Sequence, residues 1–156
     1  MKPIEVFLVD DSHAVRSSLT ALICHEPDLS VCGGAGSGRE ALKKIAALKP
    51  DVVIVDLSLE DVDGMDLVKK IASNGYGKPA VLVVSMHEEG VYGTAALGAG
   101  AKGYLMKARA AEKIVEAVRT VADGGIFVRN CSEVFGQSNG SKQRKAFEGR
   151  KNKKSA

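Results

Sequence analysis

Two apolar runs end in carboxylates, Asp10-Asp11 after Ile4 to Val9 and Asp56 after Val52 to Val55. Two others end in a hydroxyl, Ser85 after Val81 to Val84, and an ammonium, Lys107 after Gly103 to Met106. Short runs rich in β-branched residues read as strands. Ligands of an open parallel sheet bind beyond the C-terminal strand ends, so a sheet would gather these residues although they lie up to 97 positions apart. Three carboxylates held together repel and do not all stay ionised without a cation. Carboxylate and water oxygens are the ligands Mg²⁺ accepts. A metal beside a carboxylate suits chemistry on a phosphoryl group. The cation and Lys107 would offset charge on its oxygens, and Ser85 would donate a hydrogen bond to one of them. Asp56, at the end of a run that reads as buried on both faces, is the carboxylate aimed outward as a nucleophile. A single acid after a strand often only caps the next helix. That bland reading does not cover a matched set at four strand ends.

The elements that must position this set alternate along the chain. After the first strand, Val15, Leu19, Leu22 and Ile23 recur at helical spacing and Pro27 closes the helix. Leu29 to Cys32 reads as the second strand. Ser37 and Glu40 form a capping-box pattern before Ala41, Leu42, Ile45 and Leu48, and Lys49-Pro50 ends that helix. Leu67, Val68 and Ile71 mark a third helix ending near Asn74-Gly75. A glycine-containing helix is expected from about Glu88 to Leu97, and Ile114, Val115, Val118 and Val121 define the last, stopped by Gly124-Gly125. Five strand–helix units imply parallel strands with right-handed crossovers and helices on both faces. The expected fold is a doubly wound α/β three-layer sandwich of the flavodoxin-like type, a five-stranded parallel sheet in the order 2-1-3-4-5.

With 156 residues, 45% hydrophobic and 26% charged, the composition suits one globular domain with an appendage and excludes wholesale disorder or a rod. The net charge of +3 hides an asymmetry: residues 129–156 carry eight Lys/Arg against Glu133 and Glu148, or +6, which leaves 1–128 at −3. Apolar periodicity fades after Val128. Residues 1–128 are therefore read as the folded domain and 129–156 as a basic, disordered tail, solubilising by default. No apolar run approaches the ~18 residues of a membrane span, and no secretory h-region opens the sequence. Three cysteines (Cys24, Cys32, Cys131) without metal spacing fit a reduced, cytoplasmic setting, with Cys24 and Cys32 expected as ordinary buried thiols.

With these residues in place, the sequence resembles the receiver domain of two-component response regulators over about residues 3–128. Gly100-Ala101-Lys102-Gly103-Tyr104-Leu105-Met106-Lys107 and Val84-Ser85-Met86-His87-Glu88-Glu89 look like the NarL/FixJ (LuxR-type) subfamily. The resemblance implies that Asp56 is the phosphoacceptor, Ser85 the hydroxyl switch, Tyr104 the aromatic switch and Lys107 the lysine of the set. It implies that Asp10, Asp11, Asp56 and the main-chain carbonyl of Ser58 hold Mg²⁺. It implies a sensor histidine kinase as donor, an inward rotation of Tyr104, and a reshaped face of the fourth helix, fifth strand and fifth helix for pairing of two copies or target binding. Such a domain catalyses only its own phosphorylation and dephosphorylation. Ala108 stands where many receivers have proline. The helix-turn-helix that NarL/FixJ regulators carry is not legible after Val128, so no sequence-specific DNA binding is expected of this chain.

Ser58 and His87, each two residues beyond a site residue, are expected to line the mouth. Gly90, Gly93, Gly98 and Gly100 predict a weakly held fourth helix. Gly33-Gly34-Ala35-Gly36-Ser37-Gly38 nearly matches a P-loop, but Arg39-Glu40 replaces the Lys-Ser/Thr that such a loop needs, and it reads as a turn. Asp61-Val62-Asp63-Gly64 reads as a helix-capping turn rather than a calcium loop, lacking the later Glu. An aspartyl-phosphate phosphatase would want a DxD motif on the first strand and a cap. The other alternative is a phosphorylation-independent interaction module or the remnant of a truncated transcriptional regulator.

Overall fold

Strands and helices alternate throughout residues 2–73 and 75–128, the part of the chain that the computed structural model describes. The strands are β1 (Ile4–Val9), β2 (Leu29–Ala35), β3 (Val52–Val55), β4 (Ala80–Ser85) and β5 (Gly103–Met106). The helices are α1 (His13–Cys24), α2 (Gly38–Leu48), α3 (Gly64–Ala72), α4 (Glu89–Gly98) and α5 (Ala110–Ala122), with a 3₁₀ turn at Lys107–Arg109 leading into α5. All strand pairs are parallel, in the order β2-β1-β3-β4-β5. Asn74 and the basic tail with Cys131 lie outside the described residues.

The period of two along each strand divides the core between two layers. Phe7, Val9, Val53, Val55, Val81 and Val83 pack with Ile45 of α2, Leu67, Val68 and Ile71 of α3 and Ala96 of α4. Val6, Leu8, Val52, Ile54, Leu82 and Val84 pack with Leu19 and Ile23 of α1 and Ile114, Val118 and Val121 of α5. Each such Val, Leu or Ile, fully buried, contributes about 1.5–3 kcal/mol of apolar transfer. Because helices cover both faces, the chain reverses its direction of winding between β1 and β3. That switch point opens the crevice where Asp10 and Asp56 emerge. Their positions follow from the ladder: Asp56 N–H donates to Val9 O at 2.9 Å and Asp10 N–H to Ala35 O at 3.1 Å.

Several details depart from the sequence reading. β2 continues three residues past Cys32, through glycines of low strand propensity. A Cβ on Gly33 would lie 3.2 Å from the Phe7 ring and 3.1 Å from Leu48, so glycine there makes room for the ring. The register moves from Val6↔Val31 to Phe7↔Gly33, a bulge of one residue at Cys32. Ser37 caps α2, its Oγ accepting from Glu40 N–H at 3.2 Å, but the Glu40 carboxylate returns to Gly36 N–H at 3.4 Å, one residue earlier than a capping box requires. α3 ends at Ala72 with Ser73 as its cap. Cys24 is exposed, against expectation, and Cys32 only partly buried. Leu19 and Ile23 set the inward face of α1, and Cys24 lies about 100° further round.

After α5, Gly124 adopts φ +92° and the chain turns back along the outer edge of β5. Phe127 N–H donates to Lys102 O and Tyr104 N–H to Phe127 O, both at 2.9 Å. Arg119 of α5 joins the α1–β2 loop, with Nε and Nη2 on the Asp28 carboxylate at 2.9 and 2.8 Å and Nη2 on Glu26 at 2.9 Å.

Candidate functional site

Asp10, Asp11, Asp56, Ser58, Ser85 and Lys107 stand at or just past the C-terminal ends of their strands, while Tyr104 lies within β5. Asp10 and Asp56 are buried, at 4% and 3% exposure, while Asp11 is exposed at the rim. Oxygens of the three carboxylates come within 4.8 Å of one another. Lys107 reaches from the end of β5 across β4, its Nζ 3.0 Å from Asp10 Oδ2 and 3.3 Å from Asp56 Oδ2. The other oxygens are held by main chain. Ser12 N–H donates to Asp10 Oδ1 at 2.8 Å and Ser58 N–H to Asp56 Oδ1 at 3.1 Å. Both are turns in which an aspartate binds the amide two residues on. Ser12 then caps α1, its Oγ accepting from Val15 N–H at 3.2 Å.

The charges explain what the pocket can hold. Three carboxylates and one ammonium sum to −2. Burial alone would push the Lys107 ammonium toward the neutral form, but the hydrogen bond to Asp10 and the field of Asp56 outweigh it and raise its pKa. Lys107 is therefore a fixed positive charge, and the residual −2 matches one divalent cation. The donors are all hard oxygens, the set that Mg²⁺ prefers to thiolate or imidazole sites. The residues present fit that ion.

Ser85 is fully buried at the end of β4, its Oγ accepting from His87 N–H at 3.2 Å. Tyr104 is equally buried beside it, and its hydroxyl donates to His87 O at 2.8 Å. Burial raises the Tyr104 phenol, with Ser85 hydrogen bonding opposing and Glu89 reinforcing the shift. Tyr104 thus lies inward in this structure. His87 and Ser58 are exposed, and the His87 ring stacks on Tyr92 with centroids 4.4 Å apart.

The chain matches the family model for the response regulator receiver domain over residues 6–119. It belongs to the response regulator receiver family. The receiver is 38% identical over 125 residues to the transcriptional regulatory protein UhpA of Salmonella typhimurium, covering 80% of this chain and 62% of that protein. It is 39% identical over 108 residues to a protein-glutamate methylesterase/protein-glutamine glutaminase of Nocardioides sp., covering 69% of this chain and 30% of that one. The signal receiver domain of the putative response regulator NarL from Mycobacterium tuberculosis superposes with a TM-score of 0.74 at 30% identity, over 80% of this chain and 99% of that one. This receiver spans less than two-thirds of the length of these curated relatives. The LuxR- and NarL-type matches agree with the subfamily that the Lys107 segment resembles.

The two look-alike motifs resolve into one contact. The amides of Gly38 and Arg39, which a P-loop would turn to phosphate, donate to the Asp61 carboxylate at 2.8 and 3.1 Å. These bonds hold the exposed Asp61 carboxyl below its usual range. Asp63 caps α3 through Met65 and Asp66 N–H at 2.9 and 3.2 Å. Sequence reasoning missed Asp61 as a cap for α2, since its partners lie 22 and 23 residues away. No helix of the described residues is long and apolar enough to cross a membrane.

Proposed function

We propose that Asp56 accepts a phosphoryl group from a phosphohistidine of a sensor histidine kinase, with Mg²⁺ held by Asp10, Asp11, Asp56 and the Ser58 main-chain carbonyl. The observation that carries this reading is the Asp56 carboxylate itself. It is buried, oriented through one oxygen by Ser58 N–H and matched through the other by Lys107, with two further carboxylates alongside. An Asp56 oxygen forms the new bond to phosphorus as the phosphorus–nitrogen bond of the donor breaks, and the imidazole, already protonated on its other ring nitrogen, leaves neutral with the electron pair of that bond. Bound in the pocket, Mg²⁺ supplies positive charge to the transferring phosphoryl oxygens. Lys107 supplies a second charge, and Ser85 donates its hydroxyl proton to one oxygen.

Movement of Ser85 toward the phosphoryl group alters the loop whose main chain holds both Ser85 Oγ and the Tyr104 hydroxyl, since both bonds end on His87. Phosphorylation then favours the inward Tyr104 over alternatives in which this bond is broken. The adjoining α4 is the element least committed to the core. Among its buried residues, Glu89, Gly93 and Ala96, only Ala96 brings an apolar side chain. The α4–β5–α5 face is the surface for pairing of two copies or for a downstream target. The domain turns over no external substrate, works in the cytoplasm, and contacts no specific DNA sequence through residues 1–128. The test is chemical: treat the protein with acetyl phosphate and Mg²⁺, reduce with borohydride, and sequence the peptides. Homoserine at position 56 supports the reading, and its formation at another aspartate or at none overturns it.

A further inference from the structure

Asp10 has four polar atoms, and each has a partner. Its N–H donates to Ala35 O of β2, its Oδ1 accepts from Ser12 N–H, its Oδ2 faces Lys107, and its main-chain carbonyl accepts from Arg16 Nη1. Arg16 lies on α1, half-buried, and its side chain runs over Gly34 near the end of β2 and Gly36 just beyond it. A Cβ on Gly34 would lie 3.5 Å from Arg16 Cδ, and one on Gly36 would lie 3.3 Å from Arg16 Nη1. The glycine run that resembles a P-loop therefore has another use here. Part of it is the bed on which a guanidinium lies, and its Ala35 holds the other side of the same aspartate.

We infer that Arg16 is a positioning residue for the cation pocket: its guanidinium fixes the Asp10 main chain so that the Asp10 and Asp11 carboxylates face the ion, without itself touching the ion. The inference rests on reading this pocket as the Mg²⁺ site. It has a sign that separates it from simple electrostatics. Arg16 is a positive charge beside a cation site, so as a charge alone it opposes Mg²⁺, and its removal should tighten binding. As the tie on Asp10, its removal frees the β1–α1 loop and weakens binding, as loss of a group that orients a ligand does.

The experiment measures Mg²⁺ affinity by isothermal titration calorimetry for the full chain and for Arg16→Met, which keeps the aliphatic stem over Gly34 but has no donor. Thermal unfolding without Mg²⁺ is measured in parallel. The expected result is a Kd about tenfold weaker in Arg16→Met, with Arg16→Lys recovering part of the loss. Equal or tighter binding by a folded Arg16→Met overturns the inference while wild-type binding leaves the pocket's reading intact. If Arg16→Met does not fold, Arg16→Lys decides: it keeps the charge but not the fork of donors, and an affinity unchanged from wild type overturns the inference. Failure of the wild type itself to bind Mg²⁺ overturns both the inference and the reading of the pocket.

Discussion

Replacing Asp56 by asparagine should remove the phosphoacceptor and, at the same time, stabilise the metal-free protein. The sign follows from the pocket. At the 4.8 Å limit of the cluster and an effective dielectric of ~20, each like-charge pair costs about 3.5 kcal/mol. The attraction of Lys107 for Asp56 at 3.3 Å is worth about 5 kcal/mol on the same scale. Asp10 repels Asp56 at full strength, and Asp11 at about half, because it is exposed to solvent. Repulsion and attraction therefore nearly cancel, and the several kcal/mol needed to bury an ionised carboxylate decides the outcome. Asparagine removes that cost, keeps an oxygen for Ser58 N–H, and leaves Lys107 with Asp10 at 3.0 Å. Since the Lys107 attraction is already offset by the repulsion, a net gain of about 1–2 kcal/mol remains once the burial of the amide itself is counted, or a Tm higher by roughly 3–8 °C. The assay is thermal and urea unfolding at neutral pH in chelator, then with Mg²⁺. Wild type should gain stability with Mg²⁺ and Asp56→Asn should gain less. An Asp56→Asn protein less stable than wild type in chelator would refute the reasoning, since Lys107 would then more than neutralise the pocket.

Other perturbations test the scaffold. A Cβ on Gly64 would lie 2.6 Å from both Leu57 Cα and Leu57 O, so Gly64→Ala displaces the residue next to Asp56; a loss of about 1–3 kcal/mol is expected in urea unfolding, with impaired phosphoryl uptake. Gly98 has nothing within 4 Å of its Cβ position and no positive φ, so Gly98→Ala should stabilise α4 by about 0.4–1 kcal/mol, read as slower hydrogen exchange there. The Asp28 carboxyl is held below the usual carboxylate range, first by its hydrogen bonds to Arg119. A depressed carboxylate contributes stability above its unfolded pKa and loses it as pH falls through the lower folded value. Arg119→Met should therefore lower Tm at neutral pH and flatten the acid limb below about pH 4, by an amount that shrinks in high salt.

Much of this was legible because buried parallel strands declare themselves. Val52 to Val55 and Val81 to Val84 are unbroken apolar runs, and the residue that ends such a run must sit at the sheet's rim. That one rule puts Asp10, Asp56, Ser85 and Lys107 together from the sequence alone. What escaped were features whose partner is main chain or distant in sequence. The end of β2 was hidden by glycines that exist for Phe7 and Arg16, and sequence propensity cannot see a neighbour's ring. Arg16 carried no signal in the sequence because its partner is a carbonyl, which every residue has. Asp61 read as part of a local turn because its amides belong to α2. The outward face of Cys24 was in principle legible, one residue beyond the inward Ile23. The basic tail, by contrast, falls outside the described residues.

The central claim is tested most directly by intact mass after incubation with a small-molecule phosphodonor and Mg²⁺, with Asp56→Asn and a chelator as controls. The account predicts a gain of one phosphoryl group in the wild type, absent in the variant and absent with chelator. No gain in a folded wild-type protein, under conditions where the phosphoryl lifetime exceeds the measurement, would contradict it and leave a phosphorylation-independent interaction module as the reading of this receiver.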